Sequence, residues 1–165
     1  EEVSTNQKLD YCREVLELEQ QVATNPTPET MYRLASLYFQ ASYLGDCWYL
    51  TRYAHSANDE ICYPDEKDLA AAAIEMLRRA KLMTDNEQLK QKCLYAMAFI
   101  PYGEDFVTYV TDDNYNGHYE YNYNCYYYRS MFELAQYYLE HNGNVAYYIS
   151  HCDILTEFIS KAGQG

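Results

Sequence analysis

One ten-residue stretch occurs twice in this chain in nearly the same form. Residues 31–40 read MYRLASLYFQ, and residues 131–140 read MFELAQYYLE. Met31, Leu34, Ala35 and Tyr38 return as Met131, Leu134, Ala135 and Tyr138, and Tyr32 returns as Phe132. The shared positions fall at i, i+3, i+4 and i+7, which is one face of a helix. A small Ala beside a Leu, with a Tyr one turn on, suits a helix lying close against a neighbour. The two copies therefore predict a repeated packing unit, used near the start and again near the end of a stacked helical structure.

Short breaks divide the remaining chain into further helices. A capping box at Ser4 and Gln7 opens a helix to about residue 24, with Leu9, Cys12, Leu16 and Val22, and Val15 and Leu18 beside them, as its apolar stripe. Asn25-Pro26-Thr27-Pro28 breaks it; Thr27 caps the next helix and Pro28 takes its first position. That second helix carries the first copy of the repeat to about Leu44, where Gly45 is expected to take the left-handed conformation that ends helices. Residues 47–54 predict a short antiparallel partner anchored by Trp48, the sole Trp. A polar connection, 55–63, leads to Pro64, Asp65, Glu66 and Asp68 at the start of a helix that buries Leu69, Ala73, Leu77 and Ala80. After Thr84-Asp85-Asn86, a helix burying Leu89, Cys93, Ala96, Met97 and Ile100 stops before Pro101. Asn142-Gly143-Asn144 ends the echo helix, and residues 145–160 close the chain with one or two more.

These features resemble tetratricopeptide repeats. Ala73, Leu77 and Ala80, a short turn, then Leu94 and Ala98 look like the hinge between successive repeats. Leu34-Ala35-x-x-Tyr38 and Leu134-Ala135-x-x-Tyr138 are similar to the family's first-helix pattern, and their spacing is close to three repeats of about 34 residues. Met31 and Met131 stand where the family usually has Trp, and no Pro follows Ala80. Over roughly residues 28–160 the order of these motifs, with Tyr43-Leu44-Gly45 and Trp48-Tyr49-Leu50-Thr51 between them, is similar to tetratricopeptide-like C-terminal regions of secreted or lipid-anchored Bacteroides-type proteins. The resemblance implies an all-α fold, a short right-handed solenoid of antiparallel hairpins with about seven or eight helices. It also implies a cell-envelope location, periplasmic or surface-exposed, with a cytoplasmic one left open. The expected organisation is a single domain over 1–165, possibly the C-terminal part of a larger protein.

Charge narrows the partners. Twelve Lys and Arg stand against 25 Asp and Glu, a net charge of −13. Nucleic-acid binders concentrate positive charge, so a phosphate backbone is not the expected partner, whereas a basic one is. No apolar run approaches the roughly 20 residues needed to span a bilayer. The six Cys are widely spread with no C-x-x-C pair. Cys12 and Cys93 fall on apolar helix faces, so most thiols are expected to be free, buried hydrophobes.

Tyr is the compositional outlier, 21 residues against five Phe. Its ring buries well while its hydroxyl seeks a partner or water. Gly103-Glu104-Asp105 predicts a short helix to about Val110, followed by an exposed loop, TDDNYNGHYEYNYN, over 111–124. Its period-two alternation of Tyr with polar residues also fits a hairpin, though two strands alone are marginal. Polar-aromatic loops are common recognition surfaces. The candidate binding residues are Tyr115, His118, Tyr119, Tyr121, Tyr123 and Tyr126.

Candidate chemistry is sparse. His118-x-Glu120 and His151-Cys152-Asp153 are the nearest approaches to ligand clusters, but neither supplies three ligands at workable spacing, so no metal and no cofactor is expected. Helix neighbours such as His151 and Cys152 point about 100° apart, which weakens them as a base–nucleophile pair. The acids Glu104, Asp105, Asp112 and Asp113 lack the alternating ligand pattern of a calcium loop. The sequence therefore predicts a non-enzymatic scaffold that binds a protein or peptide, with the number of copies open. A glycan- or small-ligand-binding module using residues 111–128 is the alternative.

Overall fold

The computed structural model describes residues 6–47, 50–51 and 67–162. Among these, seven helices and one two-stranded sheet follow in order: α1 Gln7–Thr24, α2 Pro28–Ala41, α3 Leu69–Met83, α4 Glu87–Phe99, β1 Val107–Thr111, β2 Gly117–Tyr121, α5 Tyr126–Glu140, α6 Tyr147–Ser150 and α7 Asp153–Ala162. The chain is mostly helical, as the periodicity predicts. Among the described residues no helix is long and apolar enough to cross a membrane. Ser4, Trp48, residues 52–63 and Pro64–Glu66 lie outside the described residues. The chain divides into two compact units, Glu1–Cys93 and Leu94–Gly165, with the division inside α4.

In the first unit α2 is the central element, packed against both α1 and α3. Its N-terminus forms as the sequence predicts: Thr30 N–H donates to Thr27 Oγ1 at 3.2 Å, Thr27 N–H donates back to Thr30 Oγ1 at 3.1 Å, and Pro28 sits in the first turn. Met31, Leu34, Ala35 and Tyr38 are all buried. On α3 the matching face is Ala70, Ala73, Ile74, Leu77 and Ala80, and the small residues on both helices let the two backbones approach. Each fully buried Leu or Met of this seam contributes about 2–3 kcal/mol by removal from water. Asp68 starts α3, its carboxylate accepting from Ala71 N–H at 2.9 Å, and Asn86 starts α4 by accepting from Gln88 and Leu89 N–H.

Three details of this unit differ from expectation. The buried face of α1 is Leu18 and Val22, with Tyr11 and Val15 half-buried, whereas Leu9 is 44% exposed, Leu16 64% exposed and Cys12 exposed. Both sets fit a helical stripe, and α2 takes the one that carries the larger ring. The cap of α1 is Asn6, accepting from Leu9 N–H. α2 ends at Ala41, and Gly45 is not left-handed. Gly is required there by space, since a Cβ would lie 2.2 Å from Phe39 O and 2.4 Å from Gln40 O as the chain folds back over the helix end.

Polar contacts join α1 to α2. Arg33 donates from Nε to Glu14 Oε1 at 2.9 Å. Tyr38 Oη donates to Glu19, whose carboxylate also accepts from Lys67 Nζ at 2.9 Å. The Tyr38 bond and then Lys67 hold the Glu19 carboxyl below its usual range. Tyr38 is thus both core ring and polar anchor.

In the second unit α5 carries the echo. Met131, Leu134 and Ala135 are buried like their counterparts, while Tyr138 is half-buried and Tyr137 takes the deeper place. The helix ends at Asn142 and Gly143, both left-handed (φ 52° and 71°), with Gly143 N–H donating to Tyr138 O at 2.9 Å. α7 packs on α5, and Ile149 and Leu155 are almost fully buried. Cys12, Cys93, Cys125 and Cys152 are unpaired thiols. Cys125 has a role the sequence does not announce: it is the N-cap of α5, its Sγ accepting from Tyr128 N–H at 3.4 Å.

Residues 103–124 correct the sequence reading. The expected short helix to Val110 is strand β1, and the expected loop contains β2, paired antiparallel with Val107 opposite Tyr121 and Tyr109 opposite Tyr119. Val, Thr, Tyr, Val and Thr in succession favour an extended backbone, and only the acids at 104–105 suggested a helix. The turn is Asp112–Asn116. Asp112 Oδ1 accepts from Asn114 and Asn116 N–H, both at 2.9 Å. Those bonds, the Asn116 one foremost, hold the Asp112 carboxyl below its usual range.

Candidate functional site

The side chains with the clearest capacity to bind something gather where the hairpin meets α5 and α7. Past β2 the ladder gains one rung, Asn122 N–H donating to Phe106 O at 2.8 Å. This places Phe106 among the rings of the Tyr run. Its centroid lies 5.6 Å from Tyr121 and from Tyr123, and 5.2 Å from Tyr128, on which it stacks at 24°. Tyr128 continues the stack to Phe132 and touches Phe158 of α7. Tyr123 stands across Tyr128 at 87° and beside Tyr121 at 25°.

The result is a cleft of about 440 Å³. Its floor is half-buried Phe106, Tyr127, Tyr128 and Phe158; its walls are exposed Val107, Tyr121, Tyr123 and Ile154. Ile154, Glu157, Phe158 and Lys161 recur at helical spacing on α7, so one face of that helix supplies a wall and a charged rim. Lys161 Nζ donates to Glu157 Oε1 at 2.6 Å, which draws the carboxyl down and the ammonium up from their ordinary ranges. Burial pushes the Tyr127 phenol up, so it stays protonated and able to donate.

The six residues singled out from sequence take different places. Tyr121 and Tyr123 line the cleft. Tyr119 lies on the same hairpin face, its ring against Tyr109 at 5.1 Å. Tyr115 sits at the tip, 92% exposed and left-handed at φ 61°. His118 is on the opposite hairpin face, with Nε2 3.1 Å from Glu120 Oε1. Tyr126 is inward: its hydroxyl donates to Met97 O at 2.6 Å and its ring meets Tyr102 edge-on. Phe106, Tyr127, Tyr128 and the α7 residues were missed. The α7 set was visible as an i, i+3, i+4, i+7 stripe mixing apolar and charged residues.

Other candidate chemistry stays dispersed. His151 stacks on Tyr147 at 3.7 Å, with Nδ1 2.9 Å from Ser150 Oγ. Glu104 accepts from Asn122 Nδ2 at 2.7 Å, and Asp112 is committed to its turn. Among the described residues no group of three or more His, Cys, Asp or Glu is placed to hold a metal ion. No protein-family model, curated protein or solved structure matches the chain.

Proposed function

We propose that the chain is a non-enzymatic binding module, a helical scaffold whose second unit seats an extended segment of a protein partner in the Tyr-lined cleft. The observation that carries this reading is the pairing of an exposed Tyr wall with a half-buried aromatic floor. Tyr gives large, rigid contact area at low entropic cost, and aromatic anchors at a pocket centre dominate peptide and protein recognition. Aromatic grooves of this kind accept extended peptides whose side chains insert between rings. The tetratricopeptide-like solenoid belongs to the same proposal. Its supports are the motif resemblance and the burial of Met, Leu and Ala at the same three repeat positions in both units. The cell-envelope location rests on the resemblance alone.

A glycan is the second reading, because the near-parallel exposed rings of Tyr121 and Tyr123 offer a stacking platform. It is weaker, since the nearest amide, Asn122, is already committed to Glu104. The two separate by panning a random peptide library and probing a glycan array with the same protein. Peptides should be enriched, and replacing Tyr119, Tyr121 and Tyr123 with Ser should weaken their binding at least about tenfold. The melting temperature should change little, because all three rings are more than half exposed. Enrichment on glycans without peptides, or collapse of the triple variant's fold, would overturn the assignment.

A further inference from the structure

We infer that the cleft takes a cationic side chain, an arginine or lysine of the bound segment, held among the rings of Phe106, Tyr121, Tyr123 and Tyr128 with Glu157 as counter-ion. This rests on the reading of the cleft as a peptide site and names what that site selects. The first ground is ring geometry. Phe106, Tyr121, Tyr123 and Tyr128 all line the cleft, and Tyr123 meets Tyr128 at 87° and Phe106 at 72°, so the lining rings do not share one plane. Ring faces are the negative end of the aromatic quadrupole, and an exposed face such as that of Tyr121 or Tyr123 at the wall suits an ammonium or guanidinium. A guanidinium is also planar and stacks on Tyr.

The second ground is charge. The unit Leu94–Gly165 holds nine carboxylates against two basic side chains, Arg129 and Lys161. A field of that sign draws cationic partners and repels anionic ones. At the cleft itself Glu157 supplies a carboxylate on the rim. The third ground is that the chain already places a cation there. The Lys161 ammonium is paired with Glu157 at 2.6 Å, and both side chains line the rim of the cleft. Both partners of that ion pair are mostly exposed, so water screens it and an incoming guanidinium can displace it. Lys161 is then a resident competitor for the counter-ion.

The competitor role gives the test its sign. The probes are an amidated Ala-Arg-Ala peptide, the same peptide with citrulline (isosteric but neutral) in place of arginine, and chitotriose. Binding is read from ring shifts in NMR titrations of the full chain. The arginine peptide should shift the rings of Phe106, Tyr121 and Tyr123 and bind at least about tenfold tighter than its citrulline analogue. Added salt should weaken it. Glu157→Gln should weaken it several-fold, and Lys161→Met should tighten it. Both variants alter exposed side chains and leave the fold intact, and their melting curves check this. Equal binding of both peptides, or weaker binding by Lys161→Met, overturns the cation inference while the peptide site stands. Ring shifts by chitotriose with none from either peptide overturn both, and no shift with any probe overturns the inference.

Discussion

Two residues of the hairpin region hold backbone positions that their side chains do not favour. Tyr115 is left-handed at φ 61°, a conformation that costs an ordinary L-residue about 1–2 kcal/mol. Its ring is almost fully exposed, so packing does not compensate within the chain. Tyr115→Asn should therefore stabilise the protein by about 0.5–1 kcal/mol, read as a higher denaturation midpoint, because Asn tolerates the left-handed region. A loss of stability would mean that the ring makes a contact worth more than the strain. Cys125 is the second case. A buried thiol accepting from Tyr128 N–H does the work usually given to Ser, Thr, Asp or Asn. Cys125→Ala should cost about 1 kcal/mol or more, since both the cap and a packed sulfur are lost. Cys125→Ser keeps an acceptor at that point and should cost less; equal costs would assign the whole loss to packing. Neither feature was legible in the sequence. A left-handed Tyr depends on the turn register that Asp112 sets, and a Cys cap is chemically too weak a signal to distinguish from a buried hydrophobe.

The helices show where periodicity succeeds and where it is ambiguous. In α2 and α5 the apolar residues form one stripe, and the buried faces match expectation at Met31, Leu34, Ala35, Met131, Leu134 and Ala135. In α1 the apolar residues spread over more than one face, and of the expected set Val22 and Leu18 are buried and Val15 half-buried while Leu9, Cys12 and Leu16 are exposed. Burying that side lets Tyr11 reach Leu37 O and Glu14 reach Arg33, contacts that only the partner helix defines. Leu18→Ala should cost about 2–4 kcal/mol. Leu16→Gln should change stability by no more than about 0.5 kcal/mol, as expected for an exposed position. Equal losses in a denaturant titration would mean that both faces are covered in solution. The hairpin is half legible: its period-two Tyr pattern is visible, but the sequence predicts a helix to about Val110 where the partner strand Val107–Thr111 forms. Two strands alone are marginal, and what sustains them is the docking of Phe106 on rings from α5. The cleft was legible in part, at Tyr121 and Tyr123 and in the stretch 111–128 that also holds Tyr127 and Tyr128, because Phe106 lies before the hairpin and the charged rim comes from α7, further along the chain.

At the scale of the whole molecule, the two copies of the repeat serve two compact units with different titratable cores. In the first unit, burial pushes the Cys93 thiol from 9.0 up to about 11 and the Tyr11 phenol from 10.0 up to about 12. Tyr32 and Tyr38 move the same way, burial being the leading cause for each. Among the described residues of the second unit, Tyr127 is the raised counterpart. A group whose pKa is higher folded than unfolded contributes stability that is intact below the unfolded value. That contribution is lost as pH rises through the folded one, because the unfolded chain releases its proton first. Stability of the first unit should thus decline from about pH 9 to pH 12, Cys93 acting over the lower part and Tyr11 over the upper. The methionines of the repeat report each unit separately. As pH is raised, the methyl resonance of Met31 should move to its unfolded position before that of Met131. Cys93→Ala should flatten the early part of the decline in melting temperature, whatever its cost at neutral pH. If the Met131 methyl collapses first, alkaline unfolding is not governed by these buried groups. Simultaneous collapse of the two methyls would mean that the units unfold in one cooperative transition.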